Sequence, residues 1–288
     1  MTTRLIGGAL ALGMMAGCSG QPEAQAEITR YVRYAEAGET HYGILEGARV
    51  RELTAAPWSG GEPSGESVEL SAVRLLAPAE PTKVLAVGAN YRSHTESEVG
   101  RSLNLDELEG RDPPLFAKLP TVIVGPDDDI VRPPGASNLH FEGEMVVVIG
   151  RTARNVPAPE AADYVFGVTA GNDVSERDWQ ANDLQWLRAK ASDTFGPIGP
   201  AIVRGLDYDD LLLETRVNGE TMQSQRTGDL IFPVAYIVSY VSRFVTLFPG
   251  DVIFTGTPGE TSAMQDGDVV EIELEGAGVL TNTVVGGR

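Results

Sequence analysis

Short apolar runs broken by Gly and Pro dominate this chain, and few stretches carry helical spacing. Tyr31–Tyr34, Tyr42–Leu45 and Ala48–Val50 are three- or four-residue β-like runs, followed by a Gly-, Pro- and Ser-rich stretch from Trp58 to Gly65. Runs of this length bounded by turn residues predict strands, so residues 28–76 are expected to form a small β-rich amino-terminal subdomain. Pro78 and Pro81 mark residues 77–82 as a linker, and the apolar run Val84–Gly88 opens a main domain over 83–288. Met145 to Ile149 is apolar at every position, which suits a strand buried on both faces. Helices are expected near Pro159–Tyr164, from Ser175 to about Gln185, and from Pro233 to about Val245. The last carries Val234, Ile237, Val238, Val241 and Val245 at helical spacing, a stripe for the core or for a subunit contact. Turn signals recur at Pro249-Gly250-Asp251, Pro258-Gly259 and Asp266-Gly267-Asp268. No repeat of about 20–50 residues is visible, which excludes a solenoid. The expected class is α+β, rich in strand and poor in helix.

Composition narrows the partners. The 288-residue chain has 41 acidic and 22 basic residues, a formal charge of −19, and no basic cluster. It repels nucleic-acid phosphates, so nucleic acid is excluded as a partner. An acidic small molecule would need a local positive source, either a metal or a few placed Lys and Arg side chains. At the amino terminus, Leu5–Ala16 is apolar but too short to span a bilayer. Met15-Ala16-Gly17-Cys18 resembles a bacterial lipobox, with Met15 where leucine is usual. Residues 1–17 therefore read as a signal peptide, Cys18 as the lipidated first residue, and 18–27 as a tether. The expected location is outside the cytoplasm, facing the periplasm or cell exterior, with the membrane reached only through the lipid; an unused signal would leave the protein cytoplasmic. Cys18 is the single cysteine, so no internal disulfide can form.

Three carboxylates carry the candidate chemistry: Glu142 and Glu144 in LHFEGEMVVVIG, and Asp173 in VTAGNDVSERDWQ. Alternate residues of a strand share a face, so Glu142 and Glu144 point the same way. Like charges at the mouth of a buried strand repel, and removing either from water costs several kcal/mol. A hard divalent cation offsets that cost: Mg²⁺ takes oxygen ligands and keeps waters that a substrate can displace. The alternative is two solvated glutamates and an unrelated aspartate. His94 follows the strand at a strand-to-loop junction, and Glu98 lies four residues on, where a short helix would stack the two. A carboxylate beside an imidazole raises its basicity and fixes its tautomer, as a water-activating base requires. A surface histidine beside an acidic loop is the bland reading. His41 and His140 have weaker cases. Gly-rich Thr255–Gly259 could bring backbone N–H groups close to an anion.

The blocks GANYRSH, PPLFAKLP, LHFEGEMVVVIG, YVFGVTAGNDVSERDWQ, RAKASDTFGPIGP, RVNGETMQSQRTGDLIF and GDVIFTGTPG, in that order, resemble the fumarylacetoacetate hydrolase family, in its smaller bacterial, acylpyruvate-hydrolase-like members. The likeness runs from about Lys83 to the carboxyl terminus, with a looser one over Tyr31–Leu53. It implies a mixed β-sandwich or roll, Mg²⁺ (or Mn²⁺, or Ca²⁺) on Glu142, Glu144 and Asp173, and His94 with a glutamate as the water-activating pair. It further implies Lys190 as the charge-neutralising lysine, with Arg177, Gln180, Thr257 and Tyr91 as substrate contacts, and a homodimer. Ser97 stands where related sequences usually place the glutamate, which leaves Glu98 or Glu96 to fill the role. Val99–Asp112, with Leu103, Leu105 and Leu108, matches a region that can close over substrate. The expected reaction is hydrolysis of a C–C bond in an acylpyruvate or 1,3-diketo acid. Decarboxylation or keto–enol isomerisation of a related 2-oxo diacid on the same site is the enzymatic alternative, and non-catalytic capture of an oxo acid or metal by an exported lipoprotein is the other.

Expression with radiolabelled palmitate tests the anchor. Label should enter the wild-type protein and be absent from Cys18→Ala; no label in either, with identical fractionation, removes the lipoprotein reading.

Overall fold

The computed structural model describes residues 1, 2, 27–108 and 112–287. Residues 3–26, including Cys18 and most of the predicted signal and tether, lie outside the described residues. Among the described residues no helix is long and apolar enough to cross a membrane.

An eleven-stranded sheet forms the frame. From one edge its strands run Pro63–Glu69, Arg49–Leu53, Glu39–Glu46, Thr29–Glu36, Ile198–Arg204, Val165–Asn172, Gly143–Ile149, Val252–Phe254, Val84–Val87 and Leu115–Lys118. Arg74–Leu76 pairs additionally with Thr29–Glu36. A second, five-stranded sheet takes the order Glu220–Arg226, Leu212–Val217, Val269–Leu274, Gly278–Gly286 and Asp129–Arg132. Its inward residues Leu213, Ile272 and Leu280 share one core with Val146, Val168 and Ile198 of the large sheet. The class is β-rich α+β with few helices, as the run lengths predicted. The amino-terminal strands have a small core of their own, Val32, Tyr34 and Val50 with Ala201. They are continuous with the large sheet, because Tyr31 pairs with Ile202.

The run that reads as a two-face-buried strand is one: every residue of Gly143–Ile149 is buried. It lies between Val165–Asn172 and Val252–Phe254, antiparallel to both. Val252–Phe254 pairs in parallel with Val84–Val87. This register decides where chemistry can occur. The segments leaving Val87 and Phe254 emerge at the same end of the sheet, where Gly143 begins and Asn172 ends, since Gly143 pairs with Asn172.

Helices are shorter than the spacing predicts. Residues 158–164 form a 3₁₀ segment. The helix expected over 175–185 divides: Ser175–Glu176 pairs as strand with Leu139–His140, and helix α3 is Arg177–Asn182. Its start is set by Glu176, whose buried carboxylate accepts from Trp179 N at 2.7 Å and satisfies an amide with no intrahelical partner. A further helix, α4, spans Leu187–Ala191. The valine-rich helix α5, Val234–Ser242, turns Val234, Ile237, Val238 and Val241 into the core. Its other face carries the ring contacts Phe232–Tyr236, Tyr236–Tyr240 and Tyr240–Phe244.

Candidate active site

Register places the acidic groups. Glu142 immediately precedes the central strand, Glu144 is its second residue, and Asp173 follows the neighbouring strand, with Asp173 N donating to Glu142 O at 2.8 Å. One oxygen from each of the three carboxylates lies within 4.8 Å of the others, and all three residues are buried. Gly143 between the glutamates is required by space: a Cβ there would meet Thr215 Oγ1 at 2.0 Å. The loop after Val252–Phe254 supplies a backbone donor, Gly256 N to Glu144 Oε2 at 2.7 Å. Gly256 has φ +109°, a region open to glycine.

Cations surround the acids unevenly. Lys190, held by α4, donates to Glu142 Oε2 at 2.6 Å and to Asp173 Oδ2 at 2.8 Å. Lys118 donates to Asp173 Oδ1. Arg177, the first residue of α3, donates through Nη2 to Glu142 Oε1 and through Nη1 to Gln180 Oε1. Glu144 receives none of these cations. Burial, then the like charges of Asp173 and Glu142, push its carboxyl well above the usual carboxylate range. For Glu142 burial acts in the same direction, but Arg177, Lys190 and His94 outweigh it and hold the carboxyl well below that range. Burial opposes the charge on Lys190, yet Asp173 and Glu142 prevail and keep it a cation. For Lys118 burial prevails and lowers its proton affinity despite Asp173. An oxygen donor set this close, one member driven to hold a proton by repulsion, fits a small divalent cation.

His94 faces the same cavity. Its Nδ1 lies 2.7 Å from Gly259 O. A carbonyl only accepts, so Nδ1 is assigned the proton and Nε2 carries the lone pair. Nε2 is 3.8 Å from Glu142 Oε1. Burial chiefly, against the opposing charge of Glu142, lowers the histidine's proton affinity, so it is neutral at neutral pH.

The cavity is lined by His94, Glu142, Glu144, Asp173, Gln180, Lys190 and Thr257, among others. The structure therefore brings seven sequence-predicted residues together. Arg177 is buried behind Glu142, and Tyr91 is buried without lining the cavity. Thr257 Oγ1 donates to Gly143 O and accepts from Gln223 Nε2, so its proton is committed to holding the loop. Glu98 is not brought to His94. Helix α1 (Arg92–Thr95) ends at Thr95, and Ser97 caps a new helix, α2 (Glu98–Ser102), by accepting from Gly100 N. The break destroys the i,i+4 relation, and Glu96 and Glu98 are both exposed. Sequence reasoning missed Lys118, the T-shaped Phe116–Trp186 pair on the cavity wall, and the Gly259 carbonyl. Lys118 had a signal: it lies inside the block PPLFAKLP.

Residues 83–285 match the family "Fumarylacetoacetate (FAA) hydrolase C-terminal", and residues 29–78 match "Rv2993c-like, N-terminal". The chain belongs to the fumarylacetoacetate hydrolase family. The chain is 37% identical, over 88% of its length and 79% of the relative's, to the mitochondrial oxaloacetate tautomerase Fahd2a of Rattus norvegicus. A 2-hydroxyhepta-2,4-diene-1,7-dioate isomerase from Mycobacterium marinum superposes with TM-score 0.82 at 43% identity, covering 90% of this chain and 98% of that one. Maleylpyruvate hydrolase from Sphingobium sp. SYK-6, in complex with manganese(II) and pyruvate, superposes with TM-score 0.73 at 25% identity, covering 90% and 100%. Fumarylacetoacetate hydrolase family relatives thus include hydrolases, isomerases and tautomerases.

A polar chain supports this family site from behind: Arg177 Nη2 donates to Thr261 Oγ1 at 2.9 Å, and His140 bonds Thr261 through Nδ1 and Asn138 Oδ1 through Nε2, each at 2.9 Å. Burial, helped by Arg177, lowers His140 from 6.5 to about 4. Its folded pKa is depressed, so the unfolded chain takes up the proton first, and stability falls as pH drops from 6.5 toward 4. Between pH 7 and pH 5 the wild type should lose about 2 kcal/mol more than His140→Gln in denaturant titrations. Parallel losses would contradict a neutral, buried His140.

Proposed function

We propose that the protein catalyses keto–enol tautomerisation of small 2-oxo acids, with Mg²⁺ or Mn²⁺ held by Glu142, Glu144 and Asp173. The observation that carries this reading is the state of His94. Its Nδ1 proton is given to the Gly259 carbonyl, its Nε2 lone pair faces the cavity, and the glutamates nearest in sequence are exposed. Tautomerisation moves one proton between a carbon and an oxygen of the substrate, and a neutral imidazole performs that alone. Hydrolysis asks more: the imidazolium formed on deprotonating water must persist while a carbon–carbon bond breaks, where a carboxylate on its far nitrogen best holds it, whereas in tautomerisation the imidazolium passes its proton straight on to the substrate oxygen. A backbone carbonyl there orients the ring without supplying a charge. The rat tautomerase and the M. marinum isomerase support the same choice, and pyruvate in the Sphingobium structure supports a 2-oxo acid as ligand.

The residues divide the work by position. His94 Nε2 takes the proton from the carbon next to the oxo group, and the imidazolium so formed delivers it to the oxo oxygen to give the enol; the same two transfers in reverse restore the keto form. Lys190, kept cationic by Asp173 and Glu142, offsets the negative charge that gathers on the substrate oxygen. Gln180, its carbonyl held by Arg177, is left with its NH₂ as a donor toward the cavity. Phe116, Trp186 and Leu105 give the cavity an apolar wall. A divalent cation on the three carboxylates would supply the positive centre that polarises the oxo and carboxylate oxygens.

Loss of enol absorbance from an oxaloacetate solution reads the reaction. Wild type should accelerate it, and His94→Ala should lower kcat by about 10²–10⁴. Because His94 must be neutral and burial lowers its proton affinity, kcat/KM should hold as pH falls through 6.5 and decline only below. Pyruvate release from acylpyruvates faster than tautomerisation would replace this reading with the hydrolase one.

A further inference from the structure

The segment that carries His94 is zipped to the loop after Val252–Phe254 at four points. Gly259 N donates to Ser93 Oγ at 3.0 Å, and His94 Nδ1 donates to Gly259 O at 2.7 Å. Glu98 N then donates to Glu260 Oε2 at 2.8 Å, and Val99 N to Glu260 Oε1 at 3.3 Å. The last two are unusual for a side chain that sits on the surface. Glu260 is exposed, yet its carboxylate turns onto two amides 161 and 162 residues away in sequence.

Those amides open α2, where amides have no intrahelical partner. Ser97 Oγ takes Gly100 N, so Ser97 and Glu260 together satisfy the amides of Glu98, Val99 and Gly100. Carboxylate–amide bonds are charge-assisted and about twice as strong as neutral ones. The helix thus secured leads directly to Leu105, which is 5% exposed and lines the catalytic cavity. On its other side Glu260 is bonded through the chain to Gly259, whose carbonyl fixes the His94 ring.

We propose that Glu260 is a positioning residue: its carboxylate clamps the start of α2, and so holds both the His94 segment and the Leu105 wall in register with the metal site. It touches no reacting atom. Glu144 is fixed by Gly256 of the same loop and Thr261 supports Arg177, so one short stretch, 256–261, sets the mutual geometry of acid, base and wall. Glu260 is its only member that reaches α2 by a side chain among these contacts. The kinetic part of this inference rests on the tautomerase reading; the structural part does not.

The test uses the full-length protein with Glu260→Ala and Glu260→Gln. In the alanine variant trypsin should cut after Arg101, inside α2, at least tenfold faster than in wild type, with the site identified by mass; the glutamine variant, which keeps one neutral acceptor oxygen for Glu98 N and none for Val99 N, should be cut at a rate between the two. Manganese(II) affinity should be unchanged in both, showing that the acid site is intact. Tautomerase kcat/KM should fall by about 10²-fold in Glu260→Ala, the scale set by misplacing a catalytic group by about 1 Å, and by less in Glu260→Gln. Wild-type trypsin resistance at Arg101 in the alanine variant, or equal damage in the two variants, would overturn the clamp. If wild type itself shows no tautomerase activity, the trypsin result still decides the clamp while the proposed reaction falls.

Discussion

Three carboxylates held within 4.8 Å of one another in the interior is the constraint on which the rest of the structure depends. Like charges so close, and so dry, cannot all ionise without a compensating cation. The protein compensates two of them itself: Glu142 has Arg177 and Lys190, and Asp173 has Lys190 and Lys118. Glu144 accepts from the Gly256 N–H, and none of these three cations pairs with it. The imbalance makes the site receptive to a divalent ion, because adding one would relieve the repulsion at Glu144. It also explains why Arg177, Lys190 and Lys118 crowd the other two acids, since a buried charge left unpaired is far more costly than one never placed there.

Sheet order converts this local chemistry into a cavity. A parallel neighbour, Val84–Val87 beside Val252–Phe254, sends two loops out at the same end as the acid-bearing strands. One loop delivers His94, and the other delivers Gly256, Gly259 and Glu260. Opposite these, the short helices α3 and α4 contribute Arg177, Gln180 and Lys190. The work of the fold is therefore to bring distant segments to one edge, and solved structures named isomerase and hydrolase superpose on that fold.

What could be read from sequence follows from which features have a residue-level signature. The Glu-Gly-Glu spacing before five apolar residues specifies a strand end with two acids on one face, and the structure contains it. The helical stripe at Val234, Ile237, Val238 and Val241 is core, as such a stripe can be. By contrast, the His94–Glu98 stack assumed a continuous helix, and nothing in the spacing announces that Ser97 starts a new one. The Gly259 carbonyl, which takes the place expected for a glutamate, is a backbone atom and leaves no trace in residue types. Lys118 is one lysine in a four-residue strand, indistinguishable by pattern from a solvated one until the sheet folds it against Asp173.

Calorimetric titration of manganese(II) into the metal-stripped protein at neutral pH tests the central claim most directly. One ion should bind per chain with release of protons, and Glu144→Gln should abolish that binding while leaving the fold intact by circular dichroism. Binding that is undiminished in Glu144→Gln, or no binding by the wild type, would contradict a divalent-cation site built from Glu142, Glu144 and Asp173.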